Sequence, residues 1–127
     1  MCNLEWQSNF ELGDDNVDNQ HKKLIKLMNT LCESFENKAD KAETNNALDD
    51  LVFYTKIHNN TEEKLMEELN YNGLELQRNS NRNFYTLISD FRDSFQSGDN
   101  SKEYDFLAAI KSWLSNHLSV EHKKYSI

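Results

Sequence analysis

A histidine and a glutamate one helical turn apart, His58 and Glu62, are the residues of this chain best suited to chemistry. They lie in a stretch with helical spacing, from about Leu48 to Leu69, and His58 shares its heptad position with Leu51 and Leu65. Four residues of helix rotate by about 400°, so the two side chains diverge by about 40° and can point at one object. A carboxylate facing a core without a partner costs on the order of several kcal/mol. The sequence therefore predicts that other elements supply a partner for Glu62.

The composition predicts one largely helical domain. The chain has 127 residues, enough for one core, and seven Phe, five Tyr and two Trp supply large apolar surfaces. There is no proline and there are only three glycines, and long stretches without a strong breaker favour helix. We therefore expect one domain over residues 1–127, in which residues 1–17 lack helical spacing and form an extended N-terminal arm.

Apolar residues recur at three- and four-residue steps in four segments, which predicts four amphipathic helices. Their expected ranges, in chain order, are about 17–35, 48–69, 74–95 and 101–125. Gly13-Asp14-Asp15 should turn and cap the first helix, polar residues 37–45 should form the first connection, and Gly73 should stop the second helix. Four such helices with short connections predict an all-α, up-down-up-down antiparallel four-helix bundle.

The antiparallel arrangement predicts a polar layer inside the bundle. It brings the starts of the odd helices and the ends of the even helices to one end. The polar residues at core positions of that end are His21, His58, Glu62, Gln77, Asn81, His117 and His122. Histidines and a carboxylate that converge in a bundle suit a divalent transition metal, whose charge would offset the burial of Glu62. A hydrogen-bonded polar core and a pH-sensitive histidine cluster are the alternatives.

Charge and motifs argue against several other functions. The net charge of −8 disfavours binding to nucleic acids and to anionic membranes, and no apolar run is long enough to span a bilayer. No glycine-rich phosphate loop is present. Cys2 and Cys32 are far apart and do not form a metal-type pair. With no secretory signal at the N-terminus, we expect two reduced thiols in a cytoplasmic protein, and a bridge between Cys2 and Cys32 is the open alternative.

Several motifs along the whole chain resemble those of the hemerythrin family in its single-domain bacterial form. The motifs are Leu4-Glu5-Trp6, Asn19 to Leu24, His58 to Met66, Trp113 to Leu118 and Lys123-Lys124-Tyr125. Family members hold two irons, bridged by two carboxylates and an oxygen, and bind O2 reversibly. By resemblance, His21 and His58 match two histidines of one iron. Glu62 then matches a bridging carboxylate, and His117 matches a histidine of the other iron.

Three positions depart from the family pattern. Gln77 and Asn81 stand where the family has two histidines on the third helix, and His122 stands where it has a second bridging aspartate. Glu121 is adjacent to that last position and competes weakly for the bridging role. The resemblance therefore implies a second iron site that lacks two of its three histidines and one bridge.

From these departures we predict an altered, mononuclear metal site. Its ligands would be His21, His58, Glu62, His117 and His122, with Gln77 and Asn81 as hydrogen-bonding neighbours or weak ligands. The metal would be one iron ion, with zinc as the alternative. The protein would bind, store or sense a metal or a small ligand such as O2, without catalysis. An intact di-iron O2-binding site and a metal-free structural or signalling bundle are the competing hypotheses.

Overall fold

The computed structural model describes residues 4–98 and 103–118. In this part of the chain a short 3-10 helix, Ser8–Phe10, precedes four α-helices. They are α1 (Asp15–Glu36), α2 (Lys41–Glu68), α3 (Leu74–Gln96) and α4 (Glu103–Asn116). Helices α1 and α3 each pack against both α2 and α4. The predicted all-α four-helix bundle is confirmed.

Contacts between helix ends define the antiparallel order. His21, early in α1, meets Glu62, late in α2, with 3.1 Å between Nε2 and Oε2. Asn81, early in α3, donates to the Oε1 atom of the same Glu62. Phe91, late in α3, stacks on Phe106, early in α4, with ring centroids 3.9 Å apart. Each helix therefore runs opposite to the one before it, and one end of the bundle collects the predicted polar residues.

Aspartates begin the first two helices. Asp14 accepts a hydrogen bond from the Val17 amide at 3.0 Å, which confirms the predicted cap of α1. Asp40 caps α2 in the same way, accepting from the Glu43 amide at 2.8 Å. Helix α2 therefore begins at Lys41, and the prediction that residues 37–45 form the first connection was wrong for its second half. The polar side chains there suggested a loop, but Thr44 is buried and begins the inward face of α2.

The turn between α2 and α3 is formed differently from the prediction. Helix α2 ends at Glu68, and Asn70 adopts the left-handed conformation with φ of 52°. Gly73 has a φ of −87° and caps the start of α3, so it does not stop α2. A Cβ atom at Gly73 would lie 2.6 Å from the ring of Tyr71. A side chain at this position would therefore force the Tyr71 ring to move.

The N-terminal arm packs along the bundle. Asn29 of α1 holds the backbone of Leu4 at both polar groups, with two hydrogen bonds of 3.1 Å. Leu4, Phe10 and Leu12 bury their side chains. A single 3-10 turn interrupts the arm, and residues 15–17, which were predicted to belong to it, form the first turn of α1.

The core consists of two apolar clusters of unequal size. The large cluster fills most of the bundle and includes Leu24 and Val52, whereas the small cluster is built on Leu12, Val17 and Met66. On α1, the next core-facing position after Val17 is His21, followed by Leu24. On α2, His58 and Glu62 lie between Val52 and Met66. The polar layer therefore separates the two clusters.

Cys32 corrects a further expectation. It is disulfide-bonded, so the prediction of two reduced thiols is wrong at this position. Cys2, the other cysteine of the chain, lies outside the described residues, as do residues 101–102 and 119–125 of the predicted fourth helix. None of the described helices combines the length and hydrophobicity needed to cross a bilayer.

Candidate metal centre

Three imidazoles converge on one oxygen of Glu62. The Nε2 atoms of His21, His58 and His117 lie 3.1, 2.9 and 2.9 Å from Glu62 Oε2. All four side chains are at most 1% exposed. One ligand atom from each lies within 4.8 Å of those of the others, the only such His/Cys/Asp/Glu group found in residues 4–98 and 103–118. The structure thus brings together four of the five predicted ligands.

Three helices position these ligands. His21 lies on the buried face of α1 next to Leu24, and His58 and Glu62 occupy one face of α2 at an i, i+4 spacing. His117 follows α4 in a π-helical turn. Such a turn changes the direction of the side chains that follow it, and π-turns are frequent at functional sites.

A hydrogen-bond chain determines which nitrogen of His58 carries the proton. The hydroxyl of Thr61 donates to the carbonyl of Ile57 at 3.1 Å, so its oxygen accepts from Gln20 Nε2, also at 3.1 Å. Gln20 therefore turns its Oε1 towards His58 Nδ1, 3.2 Å away, and that nitrogen must donate. In neutral His58 the lone pair of Nε2 then faces Glu62 Oε2.

The short contact between His58 Nε2 and Glu62 Oε2 therefore requires a proton or a metal ion between the two atoms. His58 Nε2 is buried and makes no hydrogen bond with the described residues, although Glu62 Oε2 is 2.9 Å away. Two lone pairs at this distance repel each other unless a proton or a metal ion lies between them. Metal-bound histidines commonly donate their other ring nitrogen to an oxygen, as His58 does to Gln20. The arrangement fits a metal ligand.

Gln77 and Asn81 lie next to the cluster as neutral hydrogen-bonding neighbours. Gln77 Nε2 is 3.2 Å from His117 Nδ1, and Asn81 Nδ2 donates to Glu62 Oε1 at 3.4 Å. Gln77 Nε2 also lies 3.5 Å from Asn81 Oδ1. Both amides are buried. They join α3 to the cluster without adding charge.

The electrostatics keep Glu62 ionised despite its burial. Burial alone would raise the pKa of Glu62, but the nearby His117 and His58, with hydrogen bonds from His117 and His21, hold it well below 4.5. Burial, and then His58, hold the pKa of His21 well below 6.5. At neutral pH the cluster therefore offers the carboxylate of Glu62 and the neutral imidazole of His21, and donors of this kind suit iron or zinc.

Trp113 stacks on one of the candidate ligands. Its indole lies 4.6 Å from the His117 ring with an interplanar angle of 12°. It also stacks on Phe84, with centroids 3.9 Å apart. The two contacts fix the plane of the His117 imidazole.

Sequence reasoning missed some residues of the site and predicted one that cannot be placed. Gln20 and Trp113 contact the ligands and Thr61 contacts Gln20, but only Gln20 has a local signal, its position next to His21. Their partners depend on contacts between helices, which spacing along the chain does not reveal. His122 lies outside the described residues, and its role as a ligand stays a prediction.

Comparison with known proteins places the bundle in a family. Residues 12–126 match the hemerythrin HHE cation binding domain. The chain belongs to the hemerythrin family. The resemblance inferred from the motifs is thereby confirmed, and the hemerythrin domain match covers all four ligands of the cluster.

Individual hemerythrins align over nearly the whole chain. Bacteriohemerythrin of Stenotrophomonas maltophilia is 28% identical over 126 residues, 99% of this chain and 81% of the relative. Bacteriohemerythrin of Pseudomonas paraeruginosa is 29% identical over 98% of this chain and 80% of its own length. Myohemerythrin of Riftia pachyptila is 30% identical over 94% of this chain and 88% of its own length. The protein is thus a hemerythrin-like domain whose His/Glu cluster is suited to a metal ion.

Proposed function

We propose that this hemerythrin-family protein binds one iron ion through His21, His58, Glu62 and His117, and thereby binds or senses O2 or another small ligand. The observation that carries the proposal is the convergence of three imidazole nitrogens on one oxygen of Glu62, all within 3.1 Å. Zinc is the alternative metal for the same donors. We propose a binding protein without catalytic activity.

The surroundings of Glu62 support one ion rather than two. A carboxylate that bridges two metals uses both of its oxygens, but Glu62 Oε1 accepts a hydrogen bond from Asn81 Nδ2. Gln77 contacts the Nδ1 atom of His117, on the side of the ring away from Glu62. Neutral amides are weak iron ligands compared with imidazole. The α3 side of the layer therefore provides hydrogen bonds to the first site and few ligands for a second.

The protein would contribute binding and orientation to this function. A bound ferrous ion would supply a coordination position for a small ligand and one-electron redox chemistry. Gln20 orients His58 and Trp113 orients His117, so both rings hold their Nε2 atoms towards Glu62. The two apolar clusters exclude water on either side of the layer.

Metal analysis and an optical spectrum of one preparation test the proposal. After growth with added iron, we expect about one metal ion per chain and no charge-transfer bands of an oxo-bridged pair. Less than about half an ion per chain would contradict the proposal. Two irons with visible oxo-bridge bands would favour the di-iron hypothesis.

Restoration of the family residues tests the number of ions directly. Gln77→His, Asn81→His and His122→Asp together should raise the metal content from about one to about two ions per chain, because they add two imidazoles and a carboxylate. The control is Asn79→His with Thr86→His, which adds two histidines on exposed positions of α3 about 10 Å apart, too far to chelate one ion. The control should leave the metal content unchanged.

A further inference from the structure

The described part of the N-terminal arm, residues 4–13, runs antiparallel to α1. The Leu4 backbone forms two hydrogen bonds of 3.1 Å with Asn29, in the second half of α1. At the other end of the arm, the Leu12 amide donates to Asp18 at 2.8 Å, in the first turn of α1. Because later arm residues contact earlier helix residues, the chain before Leu4 points towards the end of α1.

A disulfide lies on α1 in that direction. Cys32 is one turn beyond Asn29 and is disulfide-bonded, and the other cysteine of the chain is Cys2. Two residues of extended chain span about 7 Å, and the three helix residues from Asn29 to Cys32 rise about 4.5 Å. The stretch from Leu4 to Cys2 is therefore long enough to reach Cys32.

The arm covers apolar surface of the bundle up to the polar layer. Leu4 and Phe10 are buried in the large apolar cluster. Leu12 forms the small cluster with Val17 and Met66, which borders the candidate metal centre. The end of the arm therefore closes the interior next to the predicted ligands.

The other attachments of the arm are weak compared with a covalent bond. The hydrogen bonds between Leu4 and Asn29 are only partly buried. The Trp6 ring is also partly buried and lies 5.1 Å from Lys22 Nζ. Terminal segments are poorly ordered unless they are tied down. A disulfide to Cys32 would fix the arm at both ends and so oppose its detachment.

The disulfide of Cys32 is within reach of a small reductant. Cys32 lines a cleft of about 280 Å³ between α1 and α4, together with Met28, Tyr104 and Leu107 among others. Tyr104 is 75% exposed, so the cleft opens to solvent. The rate of thiol–disulfide exchange depends on access to the sulfur atoms. A dithiol can therefore approach the bridge through the cleft.

We infer that Cys2 and Cys32 form a redox latch that holds the N-terminal arm on α1. A dithiol reduces the bridge: the S–S bond breaks, both cysteines gain a proton and one electron each, and the dithiol becomes a cyclic disulfide. The arm then detaches from Leu4 onward and remains fixed at Asp18. An oxidised dithiol reverses the reaction and closes the latch.

The consequence for the metal centre rests on the proposed function. With the latch open, the small cluster loses the support of the arm and opens more often. A metal ion held beside this cluster should then leave faster. Release of the arm itself does not depend on a metal ion.

Thiol counting tests the bridge. After incubation with oxidised dithiothreitol, the unfolded protein should have no reactive thiol and a mass lower by two hydrogen atoms than the reduced protein. It should migrate as a single chain on a gel without reductant. Two reactive thiols in the oxidised sample, or a chain dimer that reductant separates, would overturn the inference.

Digestion with a glutamyl endopeptidase tests release of the arm in the metal-free protein. The arm has two exposed cleavage sites, Glu5 and Glu11. Cleavage there should be about tenfold or more faster after reduction with dithiothreitol, while the helical bundle stays intact. The variant Cys2→Ser should be cut at this faster rate with or without reductant. Equal cleavage of the arm in both forms, or degradation of the whole chain at the faster rate, would overturn the latch.

Fluorescence of Trp6 gives a second measure of release. In Trp113→Phe it is the only tryptophan of the chain. Its quenching by acrylamide should increase about twofold on reduction, with an unchanged far-UV CD spectrum. In Trp6→Phe, the quenching of Trp113 should not change. A bridge that only stabilises the whole fold would leave the quenching of Trp6 unchanged while the protein remains folded, and would contradict the inference.

Transfer of Co²⁺ to excess EDTA tests the consequence for the metal centre. Cys2→Ser replaces the reduced form, because thiol reductants themselves bind Co²⁺. It should release Co²⁺ about threefold or more faster than oxidised wild type. The control Asn29→Ala removes both hydrogen bonds to Leu4 but keeps the bridge, and it should release Co²⁺ at the wild-type rate. Equal acceleration in Asn29→Ala and Cys2→Ser would contradict the latch.

Failure of the proposed function and failure of the latch give different results. Absence of Co²⁺ uptake would contradict the proposed function, whereas digestion of the metal-free protein still decides the latch. Equal digestion of the arm in the oxidised and reduced forms would overturn the latch even in a protein that binds Co²⁺. Equal release rates in wild type and Cys2→Ser would contradict the link between the arm and the metal centre.

Discussion

Glu62 is the acidic side chain on which the three imidazoles of the centre converge. We expect Glu62→Gln to weaken binding of Zn²⁺ or Co²⁺ by at least about 100-fold, because the amide lacks the charge that offsets the divalent ion. Competition with a chromophoric chelator measures the affinity. Glu67→Gln, an exposed position on the same helix, should retain wild-type affinity. Equal affinities of Glu62→Gln and wild type would exclude Glu62 as a ligand.

The buried His21 should make the metal-free protein sensitive to acid. Because its pKa is below 6.5 in the folded state, the unfolded chain takes up a proton at higher pH than the folded chain does. Stability is therefore lost as the pH falls below 6.5, and protonation of Glu62, whose pKa is below 4.5, adds a further loss at lower pH. We expect the urea midpoint to be lower at about pH 5 than at about pH 7.

The variant His21→Gln provides the control for this pH dependence. It removes one titrating group from the layer, so the change in midpoint between the two pH values should be smaller than in wild type. A midpoint that rises on acidification would contradict the assignment of a neutral, buried His21.

Residue types and helical spacing were enough to predict much of the site. His21, His58, Glu62 and His117 interrupt apolar faces, and a bundle that aligns their helix ends must bring them together. The link from Gln20 to His58 was not predictable, because it depends on the rotation of α1 relative to α2. A sequence pattern fixes which face of a helix is buried but not which side chain meets which across the interface.

The fluorescence of Trp113, on α4, should report the binding of a metal ion at the candidate site. Trp113 stacks on His117, so binding of paramagnetic Co²⁺ should quench its fluorescence. We expect most of the quenching to persist in Trp6→Phe and to be lost in Trp113→Phe. An emission titration with Co²⁺ measures both variants. Quenching that depends on Trp6 would place the ion near the arm and contradict the assignment.

The helix boundaries were predicted well where the apolar spacing is regular, as in α3, and poorly where polar residues suggest a loop, as at the start of α2. The apolar period of α3 predicted Leu74 and Phe95 within one residue of the observed limits, because its inward face has few interruptions. The start of α2 was missed because Asn45 and Asn46 suggest a loop, whereas Asp40 provides the cap that begins the helix upstream. Intrinsic preference is a weak guide where a good cap and a buried Thr44 favour helix.

For the whole molecule, metal binding should contribute to stability. A ligand present at about 100 times its dissociation constant stabilises the folded state by about 2.7 kcal/mol, which corresponds to about 10 °C in Tm for a chain of this size. We therefore expect EDTA to lower the Tm of metal-loaded protein by about 10 °C. Calorimetry with and without chelator measures it. An unchanged Tm would support the metal-free bundle.

The bundle was predictable as a whole because four apolar faces with short connections have few other ways to bury themselves. The disulfide at Cys32 was not predictable, because the spacing of two cysteines in a sequence does not define their distance in a fold.

The unequal apolar clusters imply that the two ends of the bundle open at different rates. The small cluster rests on Leu12 of the arm, Val17 and Met66, and the large one occupies most of the interior. Backbone amides near Met66 should exchange with deuterium through local opening, whereas those near Leu51 and Ile88 should require global unfolding. Hydrogen exchange measured with and without bound metal would show both classes. A metal ion held by His21, Glu62 and His117 next to the small cluster would slow the local opening of this end. Exchange of the amides near Met66 should therefore be slower with metal bound than without it.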